Sequence, residues 1–272
     1  MNMTVESDAH YPVCLSIAGS DPSGGAGIQA DLKVFSALGC YGAAAITALT
    51  VQNTCGVSEN QPVEASMVYR QARAVMEDLR PDVVKIGMTC RADTIRAVAE
   101  LLCEFQPRFT VLDPVMVSSS GHPLLDDEGR KALIEILMPL CRLVTPNLQE
   151  AACFAQDFPT EWEALKNSEQ TALLLKGGHL EGAPEDVLHD GGMVHRFLGH
   201  RIESCNTHGT GCALSSAIAA FVARGCDLAK AVEEAKRYVE EALASGAGVC
   251  IGEGTGPMNH FFNPLPMIIR RK

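Results

Sequence analysis

Val13-Cys14-Leu15-Ser16-Ile17-Ala18 runs straight into Gly19-Ser20-Asp21-Pro22-Ser23-Gly24-Gly25-Ala26-Gly27, after which Ile28, Leu32, Phe35 and Leu38 recur at helical spacing before Gly39. A short apolar run bounded by turn residues reads as a buried strand, and the spacing after it as a helix closed by glycine. Strand, glycine loop and helix open a βαβ unit. The alternation continues down the chain. Segments 41–51, 83–87, 109–112, 142–145 and 172–176 read as strands. Segments 65–79, 93–105, 126–140 and 147–154 read as helices, as do 211–224 and 228–245, while 186–198 reads as a hairpin around Asp190-Gly191-Gly192. No repeat or linker-like shift in composition interrupts the pattern. The expectation is a loose tail over 1–12 and one α/β domain over 13–272, with a mostly parallel central sheet covered on both faces by helices. Ligands of such sheets bind beyond the carboxyl ends of the strands.

Bulk properties narrow the function. The chain has 272 residues, 47% apolar and 20% charged, which allows a sizeable core and argues against disorder. Its 33 acidic and 22 basic residues give a net charge of −11. That balance disfavours nucleic-acid backbones and anionic membrane surfaces and leaves small molecules as partners, since a local site can be positive within an acidic protein. The 11 cysteines are odd in number and none forms a C-x-x-C pair, so a reducing, cytoplasmic setting is expected rather than a zinc or disulfide scaffold. Cys14, Cys40, Cys103, Cys153 and Cys226 sit among apolar or small residues and read as core-filling. The start is polar and acidic without a leader pattern, and no apolar run approaches the roughly 18 residues of a membrane span.

The residues suited to chemistry fall after strands. Asn206-Thr207-His208-Gly209-Thr210-Gly211-Cys212 is a glycine-rich turn leading into a small-residue helix. The first turn of a helix carries unpaired N–H groups and partial positive charge, which together bind anions. Gly209 and Gly211 admit the turn, Thr210 adds a hydroxyl, and Cys212 stands where a thiol pKa is expected to fall. Cys212 could act as a general base toward a substrate hydroxyl or as an electrostatic contact. A hydrolase nucleophile would need a histidine partner, for which His208 is near in sequence. Asp21-Pro22-Ser23, with Asp31 a turn into the helix, points to ligand contact, although neither the dinucleotide G-x-G-x-x-G nor the P-loop pattern is present. Asp113-Pro114 suits a metal or phosphate-side role, or simply a strand-ending turn. Asn147-x-x-Glu150 could hold a metal-bound water, and the same spacing fits a capping box. Lys176-Gly177-Gly178-His179 could neutralise phosphate charge in transit. A cradle for anions, with acids for a cation and a lysine at strand ends of one sheet, points to phosphoryl transfer.

Several segments together resemble one family, the bacterial hydroxymethylpyrimidine/phosphomethylpyrimidine kinases. They are Ala18-Gly19-Ser20-Asp21-Pro22-Ser23-Gly24-Gly25-Ala26-Gly27-Ile28-Gln29-Ala30-Asp31, Thr47-Ala48-Leu49-Thr50-Val51-Gln52-Asn53-Thr54, Leu112-Asp113-Pro114-Val115-Met116, Thr145-Pro146-Asn147, Leu175-Lys176-Gly177-Gly178-His179, the stretch 206–216, and the late Gly254-Thr255-Gly256-Pro257-Met258-Asn259-His260-Phe261. The resemblance implies a ribokinase-like three-layer sandwich and a role in thiamin biosynthesis. It implies MgATP-dependent phosphorylation of the hydroxymethyl group of 4-amino-5-hydroxymethyl-2-methylpyrimidine, then of the monophosphate to the diphosphate, by a homodimer. Carried over position by position, Ala26, Asp31, Gln52 and Met88 would line the pyrimidine pocket. Asp113, Asn147, Glu150 and Thr210 would serve MgATP, with Asp113 and Glu150 toward the Mg²⁺. Lys176 would sit by the transferring phosphate, and Gly209, Gly211 and Cys212 in the anion hole, Cys212 occupying the place of the aspartate base of related sugar kinases. Some relatives carry Glu in place of Gln52, Thr is common in place of Ala213, and His in place of Thr255. A pyridoxine/pyridoxal kinase is the alternative, because it shares the fold and the anion hole.

Overall fold

The computed structural model describes residues 9–118, 121–178 and 183–271. In chain order the elements are β1 (Ala9–His10), β2 (Val13–Ser20), α1 (Gly27–Ala37), β3 (Tyr41–Asn53), β4 (Gly56–Pro62), α2 (Ala65–Leu79), β5 (Val83–Ile86), α3 (Ala92–Phe105), β6 (Thr110–Leu112) and α4 (Asp127–Ala132). There follow β7 (Leu143–Val144), α5 (Leu148–Asp157), α6 (Pro159–Lys166), β8 (Ala172–Leu175), β9 (Glu185–Asp190), β10 (Met193–Leu198), α7 (Thr210–Ala223), α8 (Leu228–Gly246) and β11 (Arg270–Arg271). Nine strands form one sheet in the order β10-β9-β8-β7-β6-β5-β2-β3-β4. The run from β8 to β3 is parallel throughout, and antiparallel pairs close both edges.

The parallel strands are apolar on both faces, and alternate residues feed two separate cores. Leu15, Ile17, Val84, Ile86, Leu112, Val144 and Leu173 pack under α2 to α6. Cys14, Val83, Val111, Leu143, Ala172 and Leu174 pack under α1, α7 and α8. This is the period-two signature of a sheet buried on both sides. By the same alternation Ser16 and Lys85 point to the α1/α7 face, although neither is apolar. β2 lies between β3 and β5, so the chain runs outward in both directions from it; this is the switch point where an open α/β sheet leaves a crevice for a ligand.

Three details differ from the sequence expectation. The tail is not loose over its last residues, because Ala9 and His10 pair antiparallel with Arg271 and Arg270; residues 1–8 lie outside the described residues. The helix expected over 126–140 is one helical stretch of changing pitch, α-helical to Ala132, π over Leu133–Leu137 and 3₁₀ over Met138–Leu140. Pro139 lacks an N–H and cannot continue i→i−4 bonding, so the ladder is re-spaced ahead of it. Cys103 is exposed on α3, and Cys153 and Cys226 are only partly covered, so of the five cysteines expected in the core only Cys14 and Cys40 are buried.

Candidate active site

Lys176 follows β8 and Asp113 follows β6. Lys176 Nζ donates to Asp113 Oδ1 at 2.6 Å, with side chains 13% and 3% exposed. Thr145 Oγ1 donates to the same oxygen at 3.3 Å. A Cβ at Gly211 would stand 3.5 Å from Lys176 Nζ and 3.8 Å from Asp113 Oδ2, so the pair lies against the first turn of α7. Gly209 caps that helix with φ +77°, and a side chain there would run into the Gly25 carbonyl. Glycine is required at this position both for the left-handed backbone and for the approach of the Gly24-Gly25 loop. Burial works against the charge on Lys176, yet the Asp113 and Glu150 carboxylates hold its ammonium above the ordinary lysine range. A lysine cation and the positive end of a helix therefore share one spot, next to Gly209, Thr210, Gly211 and Cys212.

The expected lowering of the Cys212 pKa is overturned. Burial disfavours the thiolate most strongly, and the charges of Asp113 and Asp31 add to that penalty. The Lys85 ammonium and the Gly27 N–H favour the thiolate but do not compensate, and the pKa is pushed up to about 11. Desolvation outweighs the helix end, so Cys212 is a neutral thiol near pH 7. Its sequence neighbour His208 turns elsewhere. His208 Nε2 lies 2.9 Å from Asp21 Oδ2 and 3.1 Å from the Gln52 amide.

Asp21 is absorbed by its own loop. Its carboxylate accepts from the N–H groups of Ser23, Gly25 and Ala26, from Ser23 Oγ, and from His208. Burial raises its pKa, but the hydrogen bonds from His208, Ser23 and Ala26 outweigh that and hold it at about 2. The carboxylate thus shapes the loop in place of touching a ligand. The loop leaves Ala26 half-buried at its end, ahead of α1. Gln52 completes the arrangement. A ring N–H given to Asp21 requires the Gln52 oxygen, not its NH₂, to face the ring. The NH₂ then reaches Thr50 Oγ1, 3.2 Å from the other amide atom, and Thr50 passes its own proton to the Ser20 carbonyl at 2.8 Å. Met88 lies across the switch point in a small apolar cluster with Ala48, Cys90 and Leu124, and is 9% exposed.

Asp31 does not line a pocket. It is fully buried, its two oxygens each 2.9 Å from Lys85 Nζ, and it accepts from Ser16 Oγ at 2.5 Å and Ser216 Oγ at 2.7 Å. Every acceptor direction is spent inside the protein, so the expectation of a substrate contact is corrected to an interior ion pair beneath the first turns of α1 and α7. Lys85 went unremarked in the sequence; the signal was a charged residue within Val83-Val84-Lys85-Ile86, a strand buried along its whole length.

Asn147 and Glu150 form the capping box in full. Asn147 Oδ1 accepts from Glu150 N at 2.8 Å, and Glu150 Oε2 accepts from Asn147 N at 2.8 Å. Glu150 is nevertheless close to the charged pair. Burial raises its pKa, Lys176 lowers it, Asp113 raises it, and the result is about 7. Among the described residues no cluster of three or more His, Cys, Asp or Glu forms a ready-made metal cage. Magnesium-type ions bound with nucleotide need only one or two carboxylates, the rest coming from phosphates and water. Asp113 Oδ2, beside Gly211, and the partly protonated Glu150 fit that donor set. His179, beyond the Lys176 loop, lies outside the described residues.

A parallel sheet with a central switch point, a helix start suited to anions, and a lysine–aspartate pair from the ends of β8 and β6, on either side of β7, are the parts of a ribokinase-like phosphotransferase. The profile of the family described as phosphomethylpyrimidine kinase matches residues 21–259. The chain is 48% identical over 258 residues to the hydroxymethylpyrimidine/phosphomethylpyrimidine kinase of Rhizobium meliloti (strain 1021), covering 92% of this chain and 97% of the relative. Among solved structures, phosphomethylpyrimidine kinase from Clostridium difficile 630 aligns with a TM-score of 0.73 at 40% identity, over 85% of this chain and 98% of that one. Pyridoxal kinase from Staphylococcus aureus in complex with AMP-PCP and pyridoxal aligns with a TM-score of 0.81 at 28% identity, over 96% and 98%. The chain belongs to the phosphomethylpyrimidine kinase family. Its members are ATP-dependent phosphotransferases that act on a small molecule with a divalent cation.

Proposed function

We propose that this chain transfers the γ-phosphoryl group of ATP to the hydroxymethyl group of 4-amino-5-hydroxymethyl-2-methylpyrimidine, and then a second phosphoryl group to the monophosphate, for thiamin biosynthesis. The observation that carries the reading is the meeting of Lys176, Asp113 and the Gly211 turn at one point, beside a neutral Cys212 thiol. Phosphoryl transfer needs positioning and charge neutralisation more than covalent help. Lys176 and the N–H groups of Gly209 to Cys212, with the Thr210 hydroxyl, take up charge on the transferring group. Asp113 and Glu150 would hold Mg²⁺, which would neutralise phosphate oxygens, and Asn147 keeps Glu150 in place. Ala26, Gln52 and Met88 border the pyrimidine, and Gln52 turns an amide oxygen or NH₂ to its aminopyrimidine edge, once freed from His208. Cys212 orients the attacking hydroxyl as an un-ionised thiol, and the hydroxyl proton passes to the transferred phosphate as ADP leaves.

The deciding experiment offers the pyrimidine alcohol, its monophosphate and pyridoxal separately with MgATP and follows each product by chromatography. Phosphorylation of both pyrimidines is expected; a clear preference for pyridoxal would replace this reading with the pyridoxal kinase one. We further propose a cytoplasmic homodimer. Leu49 and Val51 are 52% and 58% exposed on β3 next to the polar edge strand β4, and a second copy would cover them. Among the described residues no helix is long and apolar enough to cross a membrane.

A further inference from the structure

A further buried ion pair joins α8 to β9. Lys236 Nζ on α8 donates to Asp186 Oδ2 on β9 at 2.6 Å, with side chains 11% and 7% exposed. The fold makes room for it, since a Cβ at Gly199, just after β10, would stand 2.6 Å from Lys236 Cε. Neither residue has a part in the catalytic arrangement described above. A buried pair is by itself weak ground for stability, because the cost of desolvating both charges offsets their attraction. What this pair does is set by the other oxygen of the carboxylate.

Asp186 Oδ1 accepts from the Gly177 N–H at 2.8 Å. Gly177 directly follows Lys176. The registered pairing of β8 with β9 stops at Leu175 and Val187, so past that point a side chain holds the main chain of β8. The peptide unit joining Lys176 to Gly177 is planar and includes Lys176 Cα, so holding its N–H holds that plane. On the other side of the residue, the Lys176 N–H donates to the Pro146 carbonyl at 2.9 Å. Both peptide planes that meet at Lys176 Cα are thereby fixed, and with them the direction of its Cα–Cβ bond. From there the side chain reaches Asp113 and the Gly211 turn. A hydrogen bond to an ionised acceptor is about twice as strong as a neutral one, and Lys236 keeps that acceptor in place.

We propose that Asp186 is a positioning residue for phosphoryl transfer, with Lys236 as its anchor: by holding the Gly177 N–H it aims Lys176 Nζ at the transferring group, the role of Lys176 being the one proposed above. Without that hydrogen bond the ammonium is placed less accurately, and a displacement of about 1 Å can cost on the order of 10²-fold in rate. Ala26, Gln52 and Met88 stand on other segments, so contacts to the alcohol are left as they were. A loss of kcat without a change in KM for the alcohol follows.

The test compares two full-length double variants, both without the buried charges. Asp186→Asn/Lys236→Met keeps an oxygen for the Gly177 N–H, while Asp186→Leu/Lys236→Met has similar bulk and no acceptor. Both are assayed with MgATP and the pyrimidine alcohol, below the melting temperature of either. The conservative Asn form is expected to retain kcat within about threefold of the parent, and the Leu form to lose at least about tenfold, with KM for the alcohol within about twofold in both. The comparison is then repeated with Lys176→Ala added. There the Leu form should lose nothing further relative to the Asn form, whereas a merely structural change would lower kcat by the same factor with or without Lys176. Equal kcat in the two double variants, or a gap that survives Lys176→Ala, would overturn the proposal. Unchanged kcat in Lys176→Ala alone would overturn the role of Lys176 and this proposal together, while a large loss there beside equal double variants strikes only the proposal. If the Leu form does not fold, Asp186→Ala/Lys236→Met takes its place under the same two criteria.

Discussion

At the scale of single residues, the site trades reactivity for order. Cys212 is surrounded by the charges of Lys85, Asp113 and Asp31, and burial dominates them, leaving a thiol that titrates at about 11. An ionised base in the free enzyme would give kcat/KM an ascending limb near neutrality. Ionisation of Glu150 accounts for a limb near pH 7, so no limb that depends on Cys212 is expected between pH 7 and 9, and an apparent pKa of 7–8 abolished by Cys212→Ser would sink the neutral-thiol assignment. Alkylation at pH 7.5, followed by mass spectrometry, should accordingly label the exposed Cys55 and Cys250 well before Cys212. Asp21 shows the opposite balance, with its pKa held at about 2 by the loop it closes. Its folded pKa lies below its unfolded value of 3.8, so its contribution is present above pH 4 and fades as pH falls toward 2. That difference corresponds to about 2 kcal/mol. Asp21→Asn should lower stability at pH 7 by this order and leave the two proteins closer at pH 2.5. A gap that stays constant with pH in urea unfolding would show that the carboxylate charge is not what the loop uses.

At the scale of elements, α5 carries the clearest conflict between folding and function. Glu150 caps its own helix yet sits buried near Asp113, with a pKa of about 7. A carboxyl whose folded pKa exceeds its unfolded 4.5 stabilises fully below about pH 4.5 and loses that advantage as pH rises through 7. Glu150→Gln keeps an oxygen for the Asn147 N–H and removes the charge. The variant should therefore melt higher than the parent at pH 8, by a few degrees, with little difference at pH 5. Its affinity for magnesium–nucleotide should fall, and a Tm at pH 8 below that of the parent would refute the account. The capping box was legible in the sequence because four consecutive residues encode it, and so were the helices and parallel strands with strong periodicity. β4 was not, because Gly56-Val57-Ser58-Glu59-Asn60-Gln61-Pro62 is mostly polar and is held by its pairing with β3. The short β1 and β11 are paired over 260 positions, which no local pattern records. The anion-binding turn, Asp113 and Lys176 were readable as strand-end chemistry. The burial of Asp31, the direction of His208 and the pKa of Cys212 were not, since each is fixed by residues distant in sequence.

At the scale of the whole molecule, the ion pair of Lys85 and Asp31 ties the centre of the sheet to the helical layer of α1 and α7. Lys85 comes from β5, Asp31 from α1, Ser16 from β2 and Ser216 from α7, so four elements meet at one carboxylate directly behind the catalytic loops. The side chains of the pair are both fully buried. Removing one partner strands the other as an unpaired charge, which typically costs about 3–5 kcal/mol, whereas replacing both can be close to neutral. Lys85→Met should therefore be strongly destabilised in urea unfolding. Asp31→Asn alone should also be destabilised, while the double variant should recover most of the loss, a coupling that additive contributions cannot produce. The Lys85 charge also favours the Cys212 thiolate, so the double variant should shift the Cys212 titration less than Lys85→Met does, since it removes the opposing Asp31 charge as well. Simple additivity of the two single losses would mean that the pair acts as two independent buried groups, and the connection drawn between the sheet and the catalytic turn would fail with it.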